Sequence, residues 1–211
     1  MMKDLKKLIY VPILHTREDS GRTASILNGN EKSNIKAGKI DKELSAVDEM
    51  WDGIAAKIKE LNLPWDQMRV YQDGLPVCGN ELEIVTRIAE SGSPNFLFVL
   101  DLLQKRAKLE GTENLDLLIR EYDLLNKLLM NNSDRDRKAK AAEYQANSRE
   151  LLTLRDEFIL NRITSTLQKG ELPIVFMGVM HRLDKMLERD FLISYVIYRL
   201  PFRNMGAIYN A

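Results

Sequence analysis

The fold class follows first from residues 173–180, which read PIVFMGVM and are followed by His181. This run is apolar, rich in β-branched and aromatic residues, and gives way to charged residues, a pattern typical of a buried strand. A second run of the same kind, LIYVPIL at residues 8–14, leads into His15. The chain contains only these two histidines, so each of them follows a predicted buried strand.

The rest of the chain alternates segments of helical periodicity with short apolar runs. Helices are predicted over residues 41–61, 80–90, 94–107, 115–130 and 134–167, and further strands over residues 68–71 and 191–198. Residues 72–76 resemble a turn, and residues 108–110 are too short a run to assign. The alternation predicts an α/β fold. We expect a single-domain sandwich over residues 1–211, with a central mixed β-sheet flanked by helices and one long, partly protruding helix.

Two segments differ in composition from the rest of the predicted domain. Residues 16–40 are polar, with several Gly, Asn and Ser, and a loop of this length in a compact domain is usually functional or mobile. Residues 134–150, the first half of the long helix, are charged and polar all round. We expect this half to face solvent or to contact a partner, either a second copy of the chain or another protein.

Composition excludes several classes of protein. The 31 basic and 31 acidic residues give zero net charge, which argues against a nucleic-acid partner. No apolar stretch approaches the roughly 20 residues that span a bilayer, and the start of the chain lacks the pattern of a signal peptide. The single cysteine, Cys78, cannot form an internal disulfide. We therefore expect a cytoplasmic protein without a membrane partner.

Polar residues at the predicted strand exits are candidates for a shared site. They are His15, Asp73, Glu113 and His181. In open α/β sheets ligands bind beyond the carboxyl ends of the strands. Two imidazoles and a carboxylate can hold a divalent metal, which predicts His15, His181 and Asp73 as ligands. Without metal, the same residues could act as general acid and base.

Each candidate also has a simpler interpretation. The histidines could only end strands, Asp73 before Gly74 suits a turn, and Glu113 suits the first turn of a helix. Cys78 could be a reactive thiol, but a small buried residue is the expected role.

Arg155 is a further candidate because of its position on the long predicted helix. It lies four residues from both Leu151 and Ile159, which puts it on their apolar face. Buried arginine is rare unless it is paired or binds an anion. Arg155 is therefore either an arginine paired with a nearby acid or a clamp for an anion or transition state.

The order of these motifs resembles the superfamily that contains Tiki/TraB proteins, ChaN-type haem-binding proteins and erythromycin-esterase-like hydrolases. The similar segments are residues 14–16 (LHT), residues 71–73 (YQD), Arg155 with Asp156 or Glu157, and Gly178 to His181. The family often has Gly-Glu before the first histidine, where this chain has Ile13-Leu14. It usually has Glu at the second strand exit, where this chain has Asp73 or Gln72. The resemblance implies the fold more strongly than the substrate.

These observations lead to three hypotheses about function. The first is a hydrolase acting on a small molecule or peptide, with or without metal, through His15, Asp73, Glu113, Arg155 and His181. The second is a non-catalytic protein that binds haem or an anion through its histidines. The third is a regulatory or interaction protein that uses the helix at residues 134–150.

Overall fold

The structure, a computed structural model, describes residues 5–14, 41–129 and 134–199, and the side chains of residues 5–14, 48–127 and 144–199. The strands are β1 (Lys6–Ile13), β2 (Met68–Pro76), β3 (Lys108–Glu113), β4 (Leu172–Gly178) and β5 (Phe191–Tyr195). The helices are α1 (Asp41–Glu60), α2 (Glu81–Glu90), α3 (Pro94–Gln104), α4 (Leu115–Leu129), α5 (Asp134–Thr166) and α6 (Leu183–Leu187), and a 3-10 turn covers Trp65–Gln67.

The five strands form one sheet in the order β3-β2-β4-β1-β5, and all four strand pairings are parallel. The predicted α/β sandwich is confirmed, whereas the prediction of a mixed sheet is wrong. The physical reason is the connectivity, because every connection between consecutive strands contains a helix that returns the chain to the same end of the sheet.

Hydrophobic residues cover both faces of the sheet. On one face, Val70, Ile174 and Phe176 pack against Trp51 of α1 and Phe98 of α3. On the other face, buried residues of the strands pack against helices α5 and α6. They include Tyr10, Tyr71, Val175, Ile159, Ile163 and Leu183. Parallel strands buried on both faces are nearly continuous apolar runs, which explains why β1 and β4 are recognisable in the sequence.

The second strand is longer than predicted and contains an irregularity. It continues to Pro76, through the segment predicted as a turn, and its register against β3 shifts between Gln72 and Pro76. Gly74 has a positive φ of 75°. Gly111 of β3 faces the carbonyl of Pro76, which would lie 2.8 Å from a Cβ at that position. The local turn signal therefore marks a bulge within a strand, because pairing with β3 extends the strand beyond it.

Other boundaries also differ from the prediction. The unassigned residues 108–110 begin β3, and β5 ends at Tyr195 rather than at residue 198. Helix α2 begins at Glu81, one residue after the predicted start. The side chain of Glu81 accepts hydrogen bonds from the backbone N–H groups of Cys78 and Gly79.

Some predictions fall on residues outside the described part. His15 and the loop at residues 16–40 lie there, as do the side chains of residues 134–143. Helix α5 does begin at Asp134, and its 33 residues correspond to a length of about 50 Å. No helix in the described ranges has both the length and the apolar character needed to cross a membrane.

Charged side chains pair at the amino ends of three strands and on α5. We name this group the amino-edge cluster; its members are Arg69, Lys108, Glu110, Arg162 and Glu171. Glu171 accepts hydrogen bonds from Arg69 Nε at 2.6 Å and from Lys108 Nζ at 2.8 Å. Glu110 pairs with Arg69 and with Arg162. The cluster ties β2, β3 and α5 to the segment that precedes β4.

Candidate functional site

Asp73 lies in the irregular part of β2, next to Gly74, and is 2% exposed. Its Oδ2 atom accepts a hydrogen bond of 2.8 Å from the backbone N–H of Gly178, at the end of β4. Because β2 and β4 are parallel neighbours, their carboxyl ends meet at one edge of the sheet. The bulge and this backbone bond hold the carboxylate between the two strands.

Glu113 is the last residue of β3 and is completely buried. Its carbonyl accepts a hydrogen bond of 2.9 Å from Val77 N–H, which fixes the end of β3 against the chain after β2. Its carboxylate accepts two hydrogen bonds from Arg155, from Nε at 3.1 Å and from Nη2 at 2.6 Å. This is the bidentate geometry in which arginine binds carboxylates most strongly.

Arg155 reaches this edge from α5, where it lies between Leu151 and Ile159 on the buried face and is 6% exposed. Besides the two bonds to Glu113, its Nη2 donates to Asp73 Oδ1 at 3.0 Å and its Nη1 to Glu121 Oε2 at 2.7 Å. All three nitrogens of the guanidinium thus donate to carboxylates. Of the two interpretations of Arg155, this arrangement corresponds to pairing with acids.

His181 completes the group from a tight turn after β4, in which its N–H donates to the carbonyl of Gly178 at 3.0 Å. Its Nδ1 lies 2.6 Å from Asp156 Oδ1, and its Nε2 lies 3.5 Å from Asp73 Oδ2. The other oxygen of Asp156 accepts the N–H of Arg182 at 3.0 Å. Asp156 therefore fixes both the imidazole ring and the turn that carries it.

The pKa values reflect burial and the mutual influence of these groups. Burial by itself would lower the pKa of His181, but Asp73 and the hydrogen bond to Asp156 outweigh it and raise this pKa to about 10. Burial raises the pKa of Glu113, and Asp73 adds to the increase, while Arg155 opposes it. Burial opposes the rise in the pKa of Arg155, but the surrounding carboxylates, Glu113 first, raise it above its usual value.

We name these residues the carboxyl-edge cluster; its members are Asp73, Glu113, Glu121, Arg155, Asp156 and His181. It contains four carboxylates and two basic groups, so acids are in excess. Within it, one ligand atom each from Asp73, Glu113 and His181 lie within 4.8 Å of one another, and all three residues are buried. Such a set of one imidazole and two carboxylates can hold a divalent metal ion.

The structure brings together four of the five residues selected from the sequence: Asp73, Glu113, Arg155 and His181. The fifth, His15, lies outside the described residues. Sequence reasoning did not include Asp156 or Glu121 in the site, although Asp156 was part of the segment that carries the family resemblance. Cys78 is exposed, so its expected burial is wrong; it follows the end of β2, where no core forms around it.

Comparisons with family models, with curated proteins and with solved structures found no match to this chain. The resemblance to the Tiki/TraB, ChaN and erythromycin-esterase-like superfamily therefore stays a prediction.

Proposed function

We propose that this protein is a metal-assisted hydrolase and that Asp73, Glu113 and His181 hold the metal. The observation that carries the proposal is the convergence of three ligand atoms from three strand exits within 4.8 Å. We place its substrate, a small molecule or peptide, at the carboxyl edge of the sheet, where α/β proteins bind ligands. The single cysteine supports a reducing compartment such as the cytoplasm.

Each proposed ligand has a second partner that orients it. Asp156 contacts Nδ1 of His181, which leaves Nε2 on the side of Asp73, the carboxylate–histidine arrangement common around protein metals. Arg155 donates to both carboxylates, and Gly178 N–H donates to Asp73. These contacts fix the orientation of the proposed ligands.

In the proposed reaction, a bound divalent ion supplies Lewis acidity and lowers the pKa of a coordinated water. Asp73 and Glu113 contribute negative charge that attracts the cation. Asp156 would accept a hydrogen bond from the proton that His181 keeps at Nδ1, which would leave Nε2 free to bind the ion. The excess of carboxylates disfavours the alternative of an anionic ligand, because four acids surround Arg155 and His181 in this cluster.

A second candidate mechanism is metal-free acid–base hydrolysis. The ion pairs of Asp73 with Arg155 and His181 favour it, because these two basic groups already compensate part of the buried negative charge. In that case His181 would act as the acid and Asp73 as the base. A measurement of metal binding separates the two mechanisms.

The first experiment is a titration of the chelator-treated protein with Zn²⁺ and with Mn²⁺, followed by calorimetry. The proposal predicts one bound ion per chain, and a loss of affinity of at least 10-fold in Asp73→Asn, Glu113→Gln and His181→Gln, as for the loss of a ligand or its partner. Glu171→Gln in the amino-edge cluster is the matched control and should bind metal as the unmodified protein does.

Folding of each variant is checked by circular dichroism and thermal unfolding. Absence of metal binding in the folded, unmodified protein would rule out the metal-assisted mechanism. If Asp73→Asn and Glu171→Gln bound the metal with equal affinity, the metal would bind outside the proposed site.

Hydrolysis is then assayed with chromogenic esters and fluorogenic peptides, with and without added metal. We expect turnover that requires the ion and is lost in His181→Gln. Metal binding without turnover of any substrate in these two panels would favour a binding protein over an enzyme. Turnover that is unchanged after chelation would favour the acid–base mechanism.

A further inference from the structure

A second group of polar side chains lies within the core between the sheet and helices α1 and α3. This face of the sheet is opposite to the one that α5 covers. Trp51, Gln72 and Asn95 are 3%, 0% and 1% exposed. Four of their atoms, Trp51 Nε1, Gln72 Oε1, Asn95 Nδ2 and Asn95 Oδ1, have no hydrogen-bond partner in the described part of the chain. Buried polar atoms without a partner are rare in folded proteins because they lose their hydration without compensation.

All three residues are connected to one aromatic triangle, Trp51 as a member and the other two through their positions on the strand and the helix that carry it. The rings of Trp51, Phe98 and Phe176 lie 6.0–6.3 Å apart, measured between centroids. Gln72 is the Cα partner of Phe176 on the neighbouring strand, and paired residues point to the same face of a sheet. Asn95 lies one helical turn before Phe98, on the buried stripe of α3. The three residues therefore lie in one region of the core.

The chemistry of these atoms is complementary to water. The indole N–H of Trp51 is a donor, Gln72 Oε1 is an acceptor, and the amide of Asn95 offers both functions. The other end of the Gln72 amide is engaged, since Nε2 donates to the carbonyl of Asp73 at 3.1 Å, so the orientation of Oε1 is set. The aromatic rings contact one another, which excludes a ring-sized ligand between them.

We propose that Trp51, Gln72 and Asn95 form an internal hydration site that holds one or more long-lived water molecules between the sheet and helices α1 and α3. A buried water typically makes two to four hydrogen bonds to such otherwise unsatisfied groups. The site adjoins the carboxyl-edge cluster through Gln72, which precedes Asp73 and donates to its carbonyl. It does not depend on the proposed hydrolase activity.

The direct test is nuclear magnetic resonance of the ¹⁵N-labelled chain of 211 residues. The chain has two tryptophans, and Trp65→Phe assigns the two indole signals. We expect the indole proton of Trp51 to show a water cross-peak with the sign of a water molecule that tumbles with the protein. The matched control is Trp65, which is only partly buried and should show rapidly exchanging water. A Trp51 indole proton with cross-peaks to protein protons alone would overturn the proposal.

A substitution test uses the sign of the stability change. Asn95→Leu keeps the branching of the side chain and removes both polar atoms. If water binds the polar atoms of Asn95, the variant should have a melting temperature lower by roughly 2–4 °C than the unmodified protein. If these atoms have no partner, the melting temperature should stay the same or increase. Thr112→Val is the control for a lost buried hydrogen bond, because Thr112 Oγ1 donates to Gln72 O at 2.6 Å. A melting temperature of Asn95→Leu that is unchanged or increased would contradict the proposal. If this variant does not fold, the nuclear magnetic resonance experiment still tests the proposal.

Discussion

The two charged clusters lie at opposite ends of the same strands, and α5 contributes one arginine to each. Arg155 and Arg162 are seven residues apart, which places them on one face of the helix. Each pairs with a glutamate of β3, Arg155 with Glu113 and Arg162 with Glu110. The clusters thus perform the same structural task, which is to join α5 to the sheet.

Their charge balance and burial differ. The amino-edge cluster has three basic and two acidic groups, and the side chain of Lys108 is 56% exposed. The carboxyl-edge cluster has four acidic and two basic groups, and the side chains of Asp73 and Glu113 are 1% and 0% exposed. Burying carboxylates in excess is costly, and attachment of α5 does not require it, as the amino-edge cluster demonstrates. This difference supports the proposal that the functional site lies at the carboxyl edge.

The largest expected effect is that of removing the central arginine. Arg155→Met leaves Asp73 and Glu113 buried without their main cation, so we expect the free energy of unfolding at pH 7 to fall by about 3–5 kcal/mol. Arg162→Met, the matched change at the amino edge, should cost about 1 kcal/mol because that side chain is 26% exposed. Urea denaturation measures both values. Equal losses of unfolding free energy in the two variants would mean that the deeper burial of Arg155 does not make its removal more costly.

The second expected effect concerns Asp156, which positions His181. Asp156→Asn keeps the size of the side chain but removes the charge that orients the imidazole. We expect the proposed metal affinity to fall by about 10–100-fold, with metal titration as the measurement. Glu110→Gln is the control at the amino edge and should leave the affinity unchanged. A normal affinity in Asp156→Asn would remove Asp156 from the proposed site.

The sequence could predict those parts of the fold and of the site that have a local pattern. Strands β1 and β4 are continuous apolar runs, and Arg155 shares a helical stripe with Leu151 and Ile159, so these features follow from local patterns. Strand β3 reads KLEGTE, and its charged residues are accommodated only through partners far along the chain.

Glu121 and Asp156 are two residues of the site that local patterns did not predict. Glu121 contacts Arg155 across 34 residues of sequence, and no local spacing indicates this contact. Asp156 follows Arg155 by one residue, so its side chain projects about 100° further around the helix. Its role depends on the turn at His181, 25 residues later. Glu121 and Asp156 therefore join the site through long-range contacts that no local periodicity indicates.

The third expected effect is a response to acid at the amino edge. Hydrogen bonds from Arg69 and Lys108 are among the causes that lower the pKa of Glu171 to about 2, with the bond from Arg69 the largest of them. A lowered pKa means that the stabilisation is complete above the ordinary value of 4.5 and is lost as the pH falls towards 2. The unfolding free energies of the unmodified protein and of Glu171→Gln should therefore differ at pH 7 and converge near pH 2. A difference that stays constant with pH would show that the Glu171 charge is not responsible.

The smallest expected effects belong to the most exposed member of each cluster. The side chain of Lys108 is 56% exposed and that of Glu121 is 32% exposed, so solvent screens both. Lys108→Met and Glu121→Gln should each change the free energy of unfolding by about 0–1 kcal/mol, and 1 M salt should reduce the change further. If Glu121→Gln instead approached the effect of Arg155→Met, the acid excess at the carboxyl edge would be a structural requirement for holding Arg155. The contrast between a structural cluster and a functional one would then no longer hold.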